Sequence, residues 1–300
     1  MSKSHAELTI DDQTIAVSNL DKVLYPETGF TKAQVIDYYI KAAPCLLPHL
    51  KNRPLTLKRY PEGVDGFFFY ERHCPTHRPE WVKTATVHGS KTIDYCVLED
   101  LPSLVWAANL ADLELHTFLH RSTALTRPAA MVFDLDPGLP ADALDCCKVA
   151  LWIREYLAER NLESFIKTSG SKGMQLFVPL NTATTYEKTK SFAKKLAEDM
   201  ESAHGDEVVS QMQKKLREGK VLIDWSQNDA HKTTVCVYSL RAKSTPTVST
   251  PLTWDEVKSA LKGRKLSKLT FQSDQALQRM AKLGDLFAPV LTLKQKLPRE

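Results

Sequence analysis

The chain lacks several features, and each lack removes a class of protein. No apolar run approaches the ~18 residues of a membrane-spanning helix. The opening MSKSHAELTIDD has no basic-then-apolar layout of a secretion signal. A soluble, cytoplasmic protein with no membrane partner is expected. The six cysteines, at positions 45, 74, 96, 146, 147 and 236, show no Cys-x-x-Cys spacing. Reduced thiols are therefore expected. His73-Cys74-Pro-Thr-His77 has no second ligand pair at finger spacing, which excludes a zinc finger. The P-loop signature G-x-x-x-x-G-K-S/T is also missing. No repeat, low-complexity segment or linker interrupts the sequence, so residues 1–300 read as one compact domain. A strong imbalance of charge is missing as well. Forty lysines and arginines against thirty-six acids leave a net +4. The positives cluster at Lys51-Asn-Arg53, Lys58-Arg59, Lys214-Lys215-Leu-Arg217 and Lys262 to Lys268. Such clusters are solvated faces unless something acidic gives them a job.

Three aspartates carry the most information. Met131-Val-Phe133 leads into Asp134-Leu-Asp136 and stops at Pro137-Gly138. An apolar run ending in Pro-Gly reads as a short buried strand with an exposed end. Strand side chains alternate, so Asp134 and Asp136 share one face and Leu135 takes the other. Asp224 closes a second apolar run, Val221-Leu-Ile223. If these strands are neighbours, three carboxylates converge without a cation among them. Their repulsion is relieved by a divalent cation. Carboxylate oxygens suit magnesium or manganese, and a pair of such ions commonly serves phosphoryl transfer. Alone, Asp-x-Asp is more often a loop, a helix cap or a calcium ligand pair.

The rest of the chain reads as mixed α/β. Residues 31–50 form a helix capped by Thr31 and stopped near Pro44, and 54–72 form strand, turn, strand. Residues 92–98 are a strand and 101–111 a helix. Leu113 to Thr117 alternates, placing Glu114 and His116 on one face. Helices are expected over 141–161, 185–203 and 206–218, with strand, loop, strand over 164–179. A further strand lies near Val235 to Leu240. The beat of a parallel nucleotide-binding fold is missing, so a central, largely antiparallel sheet flanked by helices is expected.

Lys167-Thr-Ser169-Gly-Ser171-Lys172-Gly173 supplies hydroxyls, flexible glycines and a cation, which a phosphate wants. It serves equally as a turn. Arg217 and Arg241 bracket Asp224, and the arginine fork suits bidentate phosphate contact. Of Phe67-Phe-Phe69-Tyr70, at least two are expected in the core. The others would turn outward beside Lys58 and Arg59 as a stacking platform for bases. Lys22 and Lys32 straddle a turn and could grip one phosphate.

Taken in order, NLDKVLYPETGFTK, RPLTLKRYPEGVD, FDLDPG, TSGSKG, LREGKVLIDWSQN and KTTVCVYSLRAKSTPTV closely resemble the polymerase domain of bacterial ligase D and its stand-alone relatives. These belong to the archaeo-eukaryotic primase superfamily. The resemblance implies a primase-polymerase fold with an RRM-like palm, and no attached ligase or nuclease module. It also implies a nucleotidyltransferase that fills gaps and extends DNA ends in non-homologous end joining, favouring ribonucleotides and manganese. Partners would be double-stranded DNA ends and gaps bearing a 5′-phosphate, nucleoside triphosphates, Ku and a separate ligase, with the protein at the nucleoid. Asp134, Asp136 and Asp224 fall at the catalytic trio, holding two Mn2+ (or Mg2+) ions. His116, Ser169, Ser171, Lys172, Gln175, Gln227 and Arg241 fall where the family contacts the nucleotide, and Arg217 resembles its mobile-loop arginine. Asn19, Lys22 and Lys32 match the 5′-phosphate pocket. Phe69 and Tyr70 match aromatics that stack on the template, and Lys58 and Arg59 match cations of the DNA groove. Two rival readings share much of this machinery: a primer-independent primase and a non-catalytic DNA-end bridging protein.

One position departs from the family. Where relatives commonly read G-L-H-L after S-G-S-K, this chain reads Gly173-Met-Gln175-Leu176. A neutral amide replaces an imidazole that could carry charge, so weaker triphosphate stabilisation is expected.

Overall fold

A computed structural model describes residues 5–89 and 91–298. The chain divides into two compact units, each assembled from separated stretches. The first takes Met1–Phe118, Val235–Val248 and Gln272–Gly284; the second takes Leu119–Thr234, Ser249–Phe271 and Asp285–Glu300. Seven α-helices accompany sheets that are almost entirely antiparallel, among the described residues. The mixed α/β architecture matches the expectation. No helix among the described residues is long and apolar enough to cross a membrane.

In the first unit, the strand Leu55–Arg59 pairs antiparallel with Asp112–Phe118, Ile93–Val97 and Phe69–Glu71. Lys83–Val87 extends the sheet from Ile93–Val97. The helix Lys32–Leu50 begins in a full capping box, Thr31 with Gln34. It does not stop near Pro44. Pro44 and Pro48 both lie inside it. Each interior proline costs about 3 kcal/mol, while Leu46 and Leu50, both fully buried, return roughly 1.5–3 kcal/mol apiece. Tertiary burial therefore carries the helix through. Tyr38 and Tyr39 anchor it by donating to the carbonyls of Tyr238 and Leu113, each at 2.7 Å.

Cysteine chemistry also departs from expectation. Cys74 and Cys96 form a disulfide, while Cys45, Cys146, Cys147 and Cys236 are free. The backbone N–H of Cys74 donates to Asp94 O at 2.7 Å, and this contact draws the loop after the Phe69–Glu71 strand up to the strand carrying Cys96. Sequence spacing alone gave no hint of that approach.

In the second unit, six strands run in the order Val208–Val209, Val221–Asp224, Ala130–Pro137, Met174–Pro179, Phe165–Thr168, Pro251–Leu252. Alternation along Ala130–Pro137 is strict. Met131, Phe133 and Leu135 enter one apolar core with Val149, Ile153 and Leu157 of the helix Ala143–Ala158, which leaves Asp134 and Asp136 on the opposite face. The helix expected over 206–218 is absent. Val208 and Val209 instead pair in parallel with Val221 and Leu222, and only a 3-10 turn forms at Lys214–Leu216. The intervening Ser-Gln-Met-Gln-Lys-Lys segment carries no apolar stripe to pack a helix.

Candidate active site

The second unit's sheet sets one row of side chains straight across four strands. Asp224 is the direct cross-strand partner of Asp134, Asp134 of Gln175, and Gln175 of Lys167. Directly opposed residues point to the same face. Asp136 stands two residues on from Asp134 and shares that face. The backbone register thus sets all three aspartates on one face of the sheet.

Their surroundings are crowded with negative charge. Burial first, then the negative charges of Asp136 and Asp224, push the Asp134 carboxyl up to about 7, despite a hydrogen bond from Gln175 and the Lys167 charge. This donor set is short of positive charge. Asp224 is held by its own turn: Oδ1 accepts from the backbone and hydroxyl of Ser226, and Oδ2 from Gln227 Nε2 at 2.9 Å. Its oxygens are thus engaged by its own turn, and among the described residues no group of three or more His, Cys, Asp and Glu side chains is gathered closely enough to hold a metal ion as the side chains stand. Asn228 secures the turn from below. Its amide donates to Val132 O at 2.7 Å and its carbonyl accepts from Val132 N at 2.9 Å, replacing a missing strand partner.

Two glycines lock loops onto the aspartate strand. A Cβ at Gly173 would lie 2.0 Å from Leu135 O, the carbonyl between the two aspartates. A Cβ at Gly138 would lie 1.8 Å from Arg217 O. Only glycine permits either approach. The Ser169–Gly173 loop therefore sits hard against the acidic strand. Ser169 braces it from inside, its hydroxyl accepting from the backbone N–H of Ser171 and Gly173, each at 3.2 Å. Ser171 and Lys172 are exposed at the tip. Lys167 is not part of the loop. It is fully buried in the strand Phe165–Thr168, with Nζ donating to Gln175 Oε1 at 2.6 Å and to Ser249 Oγ at 2.7 Å. The Arg217 backbone lies against Gly138, just past the aspartate strand, and its guanidinium donates back to Met212 O. A cavity of about 610 Å³ elsewhere in this unit, lined by Thr182, Lys188, Phe192 and Lys296, includes no residue of the aspartate row.

The first unit holds a second constellation. His116 Nε2 lies 2.9 Å from Glu114 Oε2, and Arg241 Nε 3.2 Å from Glu114 Oε1. Burial lowers the His116 imidazole, with Glu114 offsetting only part, so the ring is neutral at neutral pH and donates Nε2–H to the carboxylate. Lys58 Nζ sits 4.4 Å over the Phe68 ring and 5.3 Å over Tyr70. The expectation that two of the four aromatics enter the core fails. Phe67, Phe68 and Tyr70 are exposed and Phe69 is half-buried. The strand Phe69–Glu71 is short, and the rings stack on one another instead, Phe67 on Phe69 and Tyr60 on Phe68. Arg59 is held by Glu71 and lies 3.7 Å from the buried Asp112.

Asn19, Lys22 and Lys32 come together in one corner of this unit. Lys22 N donates to Asn19 O at 3.0 Å, and Lys32 N to Lys22 O at 2.8 Å. Lys32 Nζ donates to Ser18 O at 2.6 Å, and Lys22 Nζ pairs with Glu62 at 2.9 Å. Burial, then the Lys22 and Arg59 charges, lower the Lys32 ammonium to about 8. An anion would relieve that crowding.

Asn228 and Ser249 are the parts of these sites that sequence reasoning passed over, and Lys167 belongs to a strand rather than to the loop expected from the sequence. Alternation from Ile166 was the available signal for Lys167, since a lysine beside a core isoleucine belongs to the sheet's other face, the face of the aspartates.

A family model described as the LigD primase-polymerase domain matches residues 31–287. The chain is 40% identical over 281 residues to the multifunctional non-homologous end joining protein LigD of Mycolicibacterium smegmatis, covering 93% of this chain and 36% of that protein. It is 34% identical over 268 residues to the bifunctional non-homologous end joining protein LigD of Bacillus subtilis, covering 89% and 42%. It thus spans less than half of these curated relatives. Among solved structures, the polymerase domain from Mycobacterium tuberculosis ligase D in complex with DNA matches with a TM-score of 0.87 at 37% identity, covering 94% of this chain and 99% of that one.

Proposed function

The chain belongs to the LigD primase-polymerase family, and from that premise we propose that it is a template-directed nucleotidyltransferase that fills gaps and extends ends during non-homologous end joining. The observation that carries this reading is the cross-strand pairing of Asp134 with Asp224, with Asp136 on the same face and Gly173 seated on the carbonyl between them. Asp134, Asp136 and Asp224 would hold two manganese or magnesium ions, which when bound neutralise phosphate charge and lower the pKa of an attacking hydroxyl.

The remaining steps fall to the chain's own groups. The exposed backbone and side chains of Ser171 and Lys172 receive phosphate oxygens, on a loop whose position Ser169 and Gly173 fix. Gln227 and Ser226 hold Asp224 until a stronger partner takes its oxygens. Arg217, anchored by its backbone beside Gly138, releases Met212 to pair with phosphate. In the first unit, neutral His116 and the Arg241 guanidinium offer donors, with Glu114 fixing both. Lys22 and Lys32 suit a terminal 5′-phosphate, and the exposed Phe68 and Tyr70, with half-buried Phe69, offer π-faces to unpaired bases. Preference for ribonucleotides and for manganese, and cooperation with Ku and a separate ligase, belong to the same proposal by family resemblance.

Extension of a primer across a gapped duplex tests it, with and without a downstream 5′-phosphate, using ribo- or deoxyribonucleotides and either metal. Expected is metal-dependent addition, stimulated by the 5′-phosphate and abolished by Asp134→Ala. End synapsis without any nucleotide addition by the parent protein would favour a bridging protein instead.

A further inference from the structure

Lys167 is an anomaly that the reading above does not use. A lysine with no solvent exposure is rare, because its charge must be repaid by partners. Here the partners form a line: Ser249 Oγ and Gln175 Oε1 both accept hydrogen bonds from Lys167 Nζ, and the Gln175 side chain in turn hydrogen-bonds Asp134. An amide whose oxygen is occupied by an ammonium has only its N–H2 left to offer. Its orientation is therefore fixed, and it can meet Asp134 only as a donor. Without that ammonium, the amide is free to flip and present its oxygen to a carboxylate.

We propose that Lys167 is a positioning residue: through Gln175 it pins one oxygen of Asp134 and leaves the other directed to a cation. This rests on the aspartates being the cation ligands. Groups that orient a metal's ligands by hydrogen bonding typically matter about 10- to 100-fold in metal affinity. The alternative role is simple charge balance, in which a buried positive charge merely offsets three carboxylates. The two roles predict opposite signs. Removing a balancing charge tightens cation binding, and removing a positioning group weakens it. The chain's glutamine in place of the family histidine gains a reason here: its amide carries both an acceptor for Lys167 and a donor for Asp134.

The test is Mn2+ binding to the full chain without nucleotide or DNA, followed by electron paramagnetic resonance, for the parent, Lys167→Met, Gln175→Leu and the double variant. Each single variant should weaken Mn2+ roughly 10-fold, and the double variant no further than either one. In primer extension by Lys167→Met, the half-saturating Mn2+ concentration should rise while kcat at saturating Mn2+ is retained, a split that general loss of packing would not produce. Unchanged or tighter binding by Lys167→Met overturns the proposal, and so does a double variant whose loss is the product of the two singles. If Lys167→Met does not fold, Ser249→Ala releases one anchor of the ammonium and carries the same test: weaker Mn2+ binding supports, unchanged binding refutes. A parent that binds no Mn2+ would refute the cation-ligand reading itself, whereas a binding parent with indifferent variants would refute only the role of Lys167.

Discussion

Asp134 and Asp224 are direct partners across adjacent antiparallel strands, two like charges placed where a sheet ordinarily sets complementary ones. Folding alone gives no reason for that choice. On the proposed reading, the pairing costs the cation-free protein stability and supplies the attraction for a cation.

Asp134→Asn should therefore separate stability from activity. Opposed like charges cost about 0.2–1 kcal/mol, so the variant should unfold at a higher temperature than the parent in chelator, while losing nucleotide addition. Calorimetry in EDTA and primer extension check the two halves. A variant less stable than the parent would contradict the repulsion argument.

Gly173→Ala should be damaging out of proportion to one methyl group. Its Cβ would fall 2.0 Å from Leu135 O, so the loop or the aspartate strand must move. Overpacking of this kind costs roughly 1–3 kcal/mol. Urea unfolding measures that cost, and nucleotide affinity should fall with it. A stable, active variant would show that the loop is not seated against the strand.

Acid should weaken the first unit through Glu114 and His116. Burial lowers the His116 imidazole below its ordinary 6.5. Burial opposes ionisation of Glu114, but the His116 hydrogen bond and the Arg241, His116 and Lys58 charges outweigh it and hold the carboxyl well below its usual range. In both cases the unfolded chain binds more protons than the folded one, so stability rises with pH. The His116 share is complete above the ordinary imidazole value and fades as pH falls through it. The Glu114 share is complete above the ordinary carboxylate value and is lost as pH drops toward the lowered one. Arg241→Gln removes a charge that keeps Glu114 ionised, so the acid midpoint seen by circular dichroism should move to higher pH. An unmoved midpoint would deny Arg241 that role.

Lys32 should give the recognition of a 5′-phosphate a basic limit. Its ammonium, lowered to about 8, loses its proton as pH rises through that value unless phosphate holds it. The advantage of phosphorylated over unphosphorylated gapped DNA should shrink above pH 8, and Lys32→Met should remove most of it at pH 7. Fluorescence anisotropy with the two duplexes measures the ratio. An equal ratio in parent and variant would place the phosphate elsewhere.

Much of this was legible in the chain. Period-two alternation put Asp134 and Asp136 on one face because Met131, Phe133 and Leu135 had to enter the core. The Thr31 cap was readable for the same local reason. What escaped depends on distant partners. The disulfide requires Cys74 and Cys96 to meet across paired backbone, and the helix through Pro44 requires a core to bury Leu46 and Leu50. The four aromatics look like core by composition, yet their strand is too short to bury them. Lys167 was misassigned to a loop because its acceptors, Gln175 and Ser249, lie on other segments.

The most direct measurement is anomalous diffraction from crystals grown with Mn2+ and a non-hydrolysable nucleoside triphosphate. Manganese peaks bounded by the carboxylates of residues 134, 136 and 224, with the Asp224 oxygens released from Ser226 and Gln227, are the result expected. A nucleotide bound with no manganese at those side chains, or with Asp224 still closed on its own turn, would contradict the account.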